Sequence, residues 1–317
     1  QAKFLPERTG GDLYKEEKIH GQVGILIRRS TIDLIQRLKQ YEENAFVDSK
    51  PIILSGHRGV GKSQALGSLV HWARKNGWIA LYVKGYHIMT AQTNIIKNMK
   101  FKTKRGEVLW DHPVYCMRWL KGLLEAHGDK FRNIKLRTGI SDLPDFKGST
   151  VFDLVEYGSV MYFEAGSVCM HLRNEMKHCV EYPVLVCFDD VSAMSQYRTS
   201  HFGDPESPSI APKPLKGYRF TLNYMFHEWY DEHELAYGAM VGARTGLPSS
   251  KAWDMLHCRP GLEYEIEPFT RKEADALFEF WERHKYTSIE IGGRVRDYIR
   301  CICCGSGSEM QRYAKHL

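Results

Sequence analysis

No apolar run in this 317-residue chain approaches the length of a bilayer span. The strictly apolar stretches, such as Val184–Phe188, run to about five residues, where a spanning helix needs about twenty. No transmembrane helix, and so no membrane partner, is expected. Cysteine is scarce too, eight residues in all, far below the density of a disulfide scaffold. Cys301, Cys303 and Cys304 sit together in a way that suits a reduced compartment. Their spacing is not that of a zinc ribbon, and no second half-site pairs with them. Internal repeats and low-complexity tracts are missing. The opening stretch from Gln1 to Arg8 has no apolar core, so no secretory leader is expected there. An Asn-Lys-x-Asp tetrapeptide is also missing, which leaves base preference illegible.

What remains is an ordinary folded composition, 43% hydrophobic and 26% charged. The length suits about two domains, or one domain with an appendix. Positive charge is concentrated. The segment Lys97–Arg137 holds eleven basic and four acidic residues, an excess of seven against a whole-chain net charge of +6. Phe101, Trp110, Tyr115, Trp119 and Phe131 are interleaved with those cations. Two readings stand open: a footprint for nucleic acid or an acidic protein neighbour, or a solvated surface around amphipathic helices.

Patterning gives an order of elements. Residues 1–21 read as irregular. Ile32, Leu34, Ile35 and Leu38 share one face of a helix that Ser30 would cap. Pro51–Ser55 reads as a short buried strand, residues 62–75 as a helix stopped by Gly77, and Trp78–Val83 as the next strand. That order is a βαβ unit and implies parallel pairing. A mostly helical stretch is expected from about 87 to 182, followed by a buried strand at Val184–Phe188. Four prolines between 203 and 214 (Pro205, Pro208, Pro212 and Pro214) mark an irregular loop. Tyr237–Ala243 and Leu262–Glu267 read as strands. Thr270-Arg-Lys-Glu273 is a capping box opening a helix to about His284, and a helix-rich segment follows from about Arg294.

The chemistry concentrates in one loop. Gly56-His57-Arg58-Gly59-Val60-Gly61-Lys62-Ser63 fits G-x-x-x-x-G-K-[ST] in full. Glycines let backbone N–H groups turn inward to cradle phosphate oxygens, Lys62 offers a point charge to the β- and γ-phosphates, and the Ser63 hydroxyl is a Mg²⁺ ligand. The helix that follows, from Lys62 through Gln64 onward, aims its positive end at the same anion. A strand before and a helix after are the context this motif requires. Its acidic counterpart is expected at a strand end, and Val184–Phe188 runs into Asp189-Asp190. Asp189 would hold Mg²⁺, which prefers oxygen ligands. Asp190 is the candidate catalytic residue, standing where a longer glutamate commonly activates water, although a supporting or capping role competes with that reading. Arg244 and Thr245, at the end of the strand Tyr237–Ala243, face the same crevice in a sheet of this kind.

Several segments together resemble the death-associated protein 3 family of GTP-binding proteins of the mitochondrial small ribosomal subunit. They are Gly56–Ser63, Val70-His71, the strand entered by Trp78, Trp119-Leu120-Lys121, Gly148–Thr150 with Val155-Glu156, Leu185–Asp189 with Ala193, Ser207–Pro212, and Gly238–Val241 with Thr245-Gly246. They run in the family's order over nearly the whole chain. The resemblance implies an α/β P-loop NTPase fold, AAA-like, with a parallel sheet core, helices on both faces and a small helical C-terminal subdomain. The expected organisation is an N-terminal extension at 1–29, a nucleotide-binding core at 30–267 with a basic helical insertion at about 87–182, and the helical subdomain at 268–317.

The resemblance also implies residence in the mitochondrial matrix, bound GTP or GDP (ATP being possible) with Mg²⁺, and small-subunit rRNA and ribosomal proteins as neighbours, with possible large-subunit contacts. A structural role with slow or no hydrolysis is expected. An active NTPase switch or ribosome assembly factor is the alternative. Two positions depart from the family's pattern. Asp190 stands where a glycine often follows the acid, and Gly305-Ser-Gly-Ser308 replaces an Asn-Pro turn.

Overall fold

The computed structural model describes residues 25–43, 51–85, 95–143, 145–195, 215–231, 235–244, 263–287 and 289–316. The expected proline loop at 203–214 and residues Thr245-Gly246 lie outside the described residues, as does most of the expected N-terminal extension.

The centre is a five-stranded sheet built from β1 (Ile52–Ser55), β2 (Ile79–Lys84), β5 (Val184–Asp189), β6 (Gly238–Ala243) and β7 (Glu263–Glu265), in the order β2-β5-β6-β1-β7. Every pairing in it is parallel. The central strands are buried on both sides, as near-continuous apolar strands in parallel sheets are. Alternation still decides which layer each side chain joins. Ile79, Leu81, Val184, Val186, Phe188 and Met240 enter one core. Leu54, Ala80, Tyr82, Leu185, Cys187 and Val241 enter the other.

Helices α1 (Arg29–Glu43) and α2 (Lys62–Lys75) cover the second face, through Leu34, Leu38, Leu66 and Leu69. The first face is covered by α3 (Pro113–Arg132), α4 (Val151–Val160), α5 (Ala165–Lys177) and α6 (Thr221–Asp231). The α/β P-loop architecture read from the sequence is therefore the one observed. α1 begins at Arg29, which places Ser30 inside its first turn rather than at the cap.

The stretch expected to be mostly helical between 87 and 182 is not helical in its first described part, which is an antiparallel pair, β3 (Ile96–Lys102) and β4 (Val108–Asp111), joined across Gly106. The strand signal was hidden because the buried member of β3 is polar. Asn98 points inward and donates to both oxygens of the buried Asp111. Thr221 of α6 also donates to that carboxylate, tying the pair to the body of the molecule.

Of the interleaved aromatics, Trp119 and Phe131 are buried, while Phe101, Trp110 and Tyr115 are half-buried and pack against the same core. Among the cations, Lys100 pairs with Glu164, Arg137 with Glu181, and Lys130 donates to the Trp78 carbonyl. Lys102, Lys104 and Arg105, around the turn of the hairpin, are exposed.

One margin of the sheet is sealed by α3. Along β2, Trp119 Nε1 donates to the Tyr82 carbonyl at 2.8 Å and Lys130 Nζ to the Trp78 carbonyl at 2.9 Å. His127 Nε2 lies 3.1 Å from the Ala80 amide and accepts from it. Burial, with Arg74 and Lys130 nearby, holds His127 well below its ordinary pKa, so it stays neutral and able to accept.

After Pro268 the chain forms α7 (Arg271–Arg283), α8 (Gly293–Ile302) and α9 (Gly307–Ala314). The expected capping box is present: Thr270 accepts from the Glu273 amide and Glu273 accepts from the Thr270 amide. These helices have their own apolar cluster, centred on Phe269, Phe278, Trp281, Ile299 and Met310.

Candidate functional site

Because the sheet is parallel, β1, β5 and β6 all end on the same side of the molecule. β1 runs into Gly56, β5 ends on Asp189 and β6 is followed by Arg244. Crevices at the carboxyl ends of such strands are where ligands bind in open α/β sheets.

The loop from Gly56 to Gly61 turns through three left-handed glycines, with φ of 118° at Gly56, 82° at Gly59 and 102° at Gly61. At Gly59 a side chain would be strained by the positive φ and would push two serine hydroxyls aside. A Cβ there would lie 2.1 Å from Ser308 Oγ and 2.3 Å from Ser306 Oγ. The loop ends at Gly61, whose carbonyl accepts from the Ala65 amide to open α2. Lys62 lies in the mouth of the loop, where Nζ donates to the carbonyls of Gly56 at 2.8 Å and His57 at 2.7 Å. Burial first, then the Arg244 guanidinium, lower the Lys62 ammonium from its ordinary pKa, while Asp189 and Asp190 pull it back up.

Ser63 Oγ donates to Asp189 Oδ1 at 2.9 Å. The hydroxyl and the carboxylate named from the sequence therefore meet across 126 residues of chain. A hydroxyl and a carboxylate side by side suit a hard divalent cation. Mg²⁺ in particular takes one or two protein oxygens and completes its shell from waters and substrate phosphates. The other oxygen, Asp189 Oδ2, accepts from the Tyr82 hydroxyl at 2.9 Å. Burial and the neighbouring carboxylate raise the Tyr82 phenol well above its ordinary pKa, so it remains a donor.

The remaining loop residues have distinct placements. His57 and Arg58 are exposed, Val60 is buried, and Gln64 lies in the first turn of α2 at intermediate exposure. Asp190 follows Asp189 in the left-handed region, at φ 71°, and its carbonyl accepts from the Ala193 amide. That conformation is the one a glycine adopts freely and an aspartate adopts at some cost. Arg244 is paired with Glu263 of β7 at 3.0 Å.

Contacts with no signature in the sequence hold the loop from behind. Arg28 Nη1 donates to the Val60 carbonyl at 2.8 Å, while Nη2 reaches the carbonyls of Glu267 and Pro268. The same guanidinium pairs with Glu273 and lies 4.3 Å from the Phe269 ring centroid. From α9, the Ser308 amide donates to the Gly59 carbonyl and Ser306 Oγ to the Arg58 carbonyl, each at 3.3 Å. Gly305–Ser308, a departure by sequence, is thus a segment that touches the glycine loop.

The family model described as mitochondrial ribosomal death-associated protein 3 matches residues 25–255, a span that takes in the glycine loop, Asp189 and β6. The chain belongs to that family. It is similar to the mouse small ribosomal subunit protein mS29, 21% identical over 322 residues that span 95% of this chain and 78% of the mouse protein. It is 24% identical to bovine small ribosomal subunit protein mS29 over 205 residues, covering 62% of this chain and about half (49%) of the bovine one.

Among solved structures it is similar to a DNA replication initiation factor, at a TM-score of 0.43 and 14% identity over 92% of this chain and 62% of that one. Cdc6p from Pyrobaculum aerophilum gives a TM-score of 0.43 at 10% identity, over 93% of this chain and 62% of that one. The family match and the loop geometry fall on the same segment, Gly56–Ser63.

Proposed function

We propose that this chain is a structural component of the mitochondrial small ribosomal subunit that holds a guanine nucleotide with Mg²⁺ at the loop Gly56–Ser63, with slow or no hydrolysis. The observation that carries the nucleotide part is the meeting of Ser63 Oγ and Asp189 Oδ1 at 2.9 Å beside a loop of left-handed glycines. The ribosomal part follows from family membership and from relatives named as small-subunit proteins. It carries with it the matrix location, small-subunit rRNA and neighbouring ribosomal proteins as partners, and contacts to the large subunit.

In this reading the amides of Gly59 to Ser63 bind the phosphates. Lys62, whose ammonium lies at the mouth of the loop, would offer its charge to the β- and γ-phosphates. Ser63 and Asp189 would hold Mg²⁺, which when bound neutralises phosphate charge. The helical segment 268–317, set against the loop through Ser306 and Ser308, acts as a brace. A ligand bound to the folded state alone stabilises it by mass action.

The test is to extract and identify what co-purifies with the native protein. A guanine nucleotide near one per chain is expected, with its phosphate count reporting on hydrolysis. Protein that refolds fully and enters the subunit with no nucleotide at all would overturn the reading.

A further inference from the structure

Tyr82 lies on β2, three strands away from β1, the strand that carries the glycine loop, and belongs to no part of the motif. It pairs in register with Cys187, so its side chain shares a face with Cys187 and Asp189. The ring is 1% exposed, and the hydroxyl ends on Asp189 Oδ2 at 2.9 Å. The other carboxylate oxygen faces Ser63 at 2.9 Å. One oxygen is therefore committed to the interior and the other is turned to the crevice, and the carboxylate plane is fixed by a donor on each side. A neutral hydroxyl does this without cancelling the carboxylate's charge, as a lysine or arginine would.

We propose that Tyr82 is a positioning residue for the divalent cation, acting through Asp189 by holding its carboxylate with Oδ1 toward Ser63. This rests on the Mg²⁺–nucleotide reading above and deepens it. Partners that orient a metal ligand from behind commonly set affinity by about 10- to 100-fold.

The experiment uses the full chain and N-methylanthraniloyl-GDP, with free Mg²⁺ titrated in a chelator buffer. In Tyr82→Phe, which removes one oxygen and keeps the ring, the Mg²⁺ concentration giving half-maximal tightening should rise about tenfold or more. Nucleotide affinity in excess EDTA should stay within about twofold, because the loop amides do not depend on the cation. A second comparison guards against a general loss of packing. In an Asp189→Asn background, Tyr82→Phe should add no further shift in the Mg²⁺ midpoint, because the two residues act as one unit. An unchanged Mg²⁺ midpoint in Tyr82→Phe, or an equal shift in the Asp189→Asn background, would overturn the proposal while leaving the nucleotide reading intact. Wild-type protein whose nucleotide affinity ignores Mg²⁺ would overturn both.

Discussion

Asp190 stands at φ 71°, a conformation that costs an L-residue about 1 kcal/mol or more and a glycine almost nothing. Asp190→Gly should therefore raise stability by about 1 kcal/mol in denaturant titration. Single-turnover GTP hydrolysis should be unchanged, as a structural role requires. A tenfold or larger loss of turnover would instead assign Asp190 to positioning water. Asp111 offers a second measurement. Burial raises its pKa to about 6, with hydrogen bonds from Thr221 and Asn98 pulling the other way and Glu164 adding to the rise. An unfolded aspartate ionises near pH 3.8, so between that pH and about 6 the folded state binds the extra proton. Asp111 therefore favours folding at low pH, and that contribution is lost as pH rises through about 6. Compared with Asp111→Asn, wild type should lose up to about 3 kcal/mol of relative stability between pH 4 and pH 7, read by urea denaturation at each pH. At this scale the sequence was legible wherever the chemistry is contiguous. Gly56–Ser63 and Asp189 carry recognisable residue types at fixed offsets. Tyr82 and Arg28 carry none, since a tyrosine in a buried strand becomes a carboxylate partner only once β2 is known to lie beside β5.

Elements were legible in proportion to their apolar pattern. β1, β2, β5, β6 and α2 follow from continuous or helical hydrophobic spacing, and α7 from its capping box. β3 and β4 did not, because Asn98 and Asp111 put a polar pair where alternation would show an apolar one. The same hairpin alters the reading of the basic segment. Its aromatics serve the core, while Lys102, Lys104 and Arg105 gather at an exposed turn. RNA binding through this turn would be read as charge with no base stacking. If about four phosphates are neutralised, log affinity should fall against log salt with a slope of roughly −3 to −4. Replacing all three residues by alanine should flatten that slope by about two to three and weaken different RNA sequences alike. A slope that is flat in wild type would remove RNA as the hairpin's partner and leave an acidic protein surface.

At the scale of the whole molecule, Arg28 joins several of the described parts. It bonds the Val60 carbonyl of the loop, the Glu267 and Pro268 carbonyls that lead to the C-terminal helices, and the Glu273 carboxylate of α7. Arg28→Met keeps much of the side-chain volume over Phe269 and removes every donor. It leaves the buried Val60 carbonyl without its donor and removes the cation beside the half-buried Glu273, at a cost of about 1 to 2 kcal/mol. Hydrogen exchange should quicken in the glycine loop and in α7–α9 together, and nucleotide should no longer slow exchange in the helices. Faster exchange in only one of the two would show that Arg28 does not join them. None of this coupling was legible in the sequence, since Val60 lies 32 positions from Arg28 and its C-terminal partners lie more than 230 away. A consequence of another kind follows from the cover that α3 lays along β2. With Trp119, His127 and Lys130 already engaged on the outward main chain, that flank offers an incoming peptide no ladder to extend. Whatever packs there within a larger particle must recognise the contour and charge of a helix, and two copies released from the particle have no means of zipping together at that border.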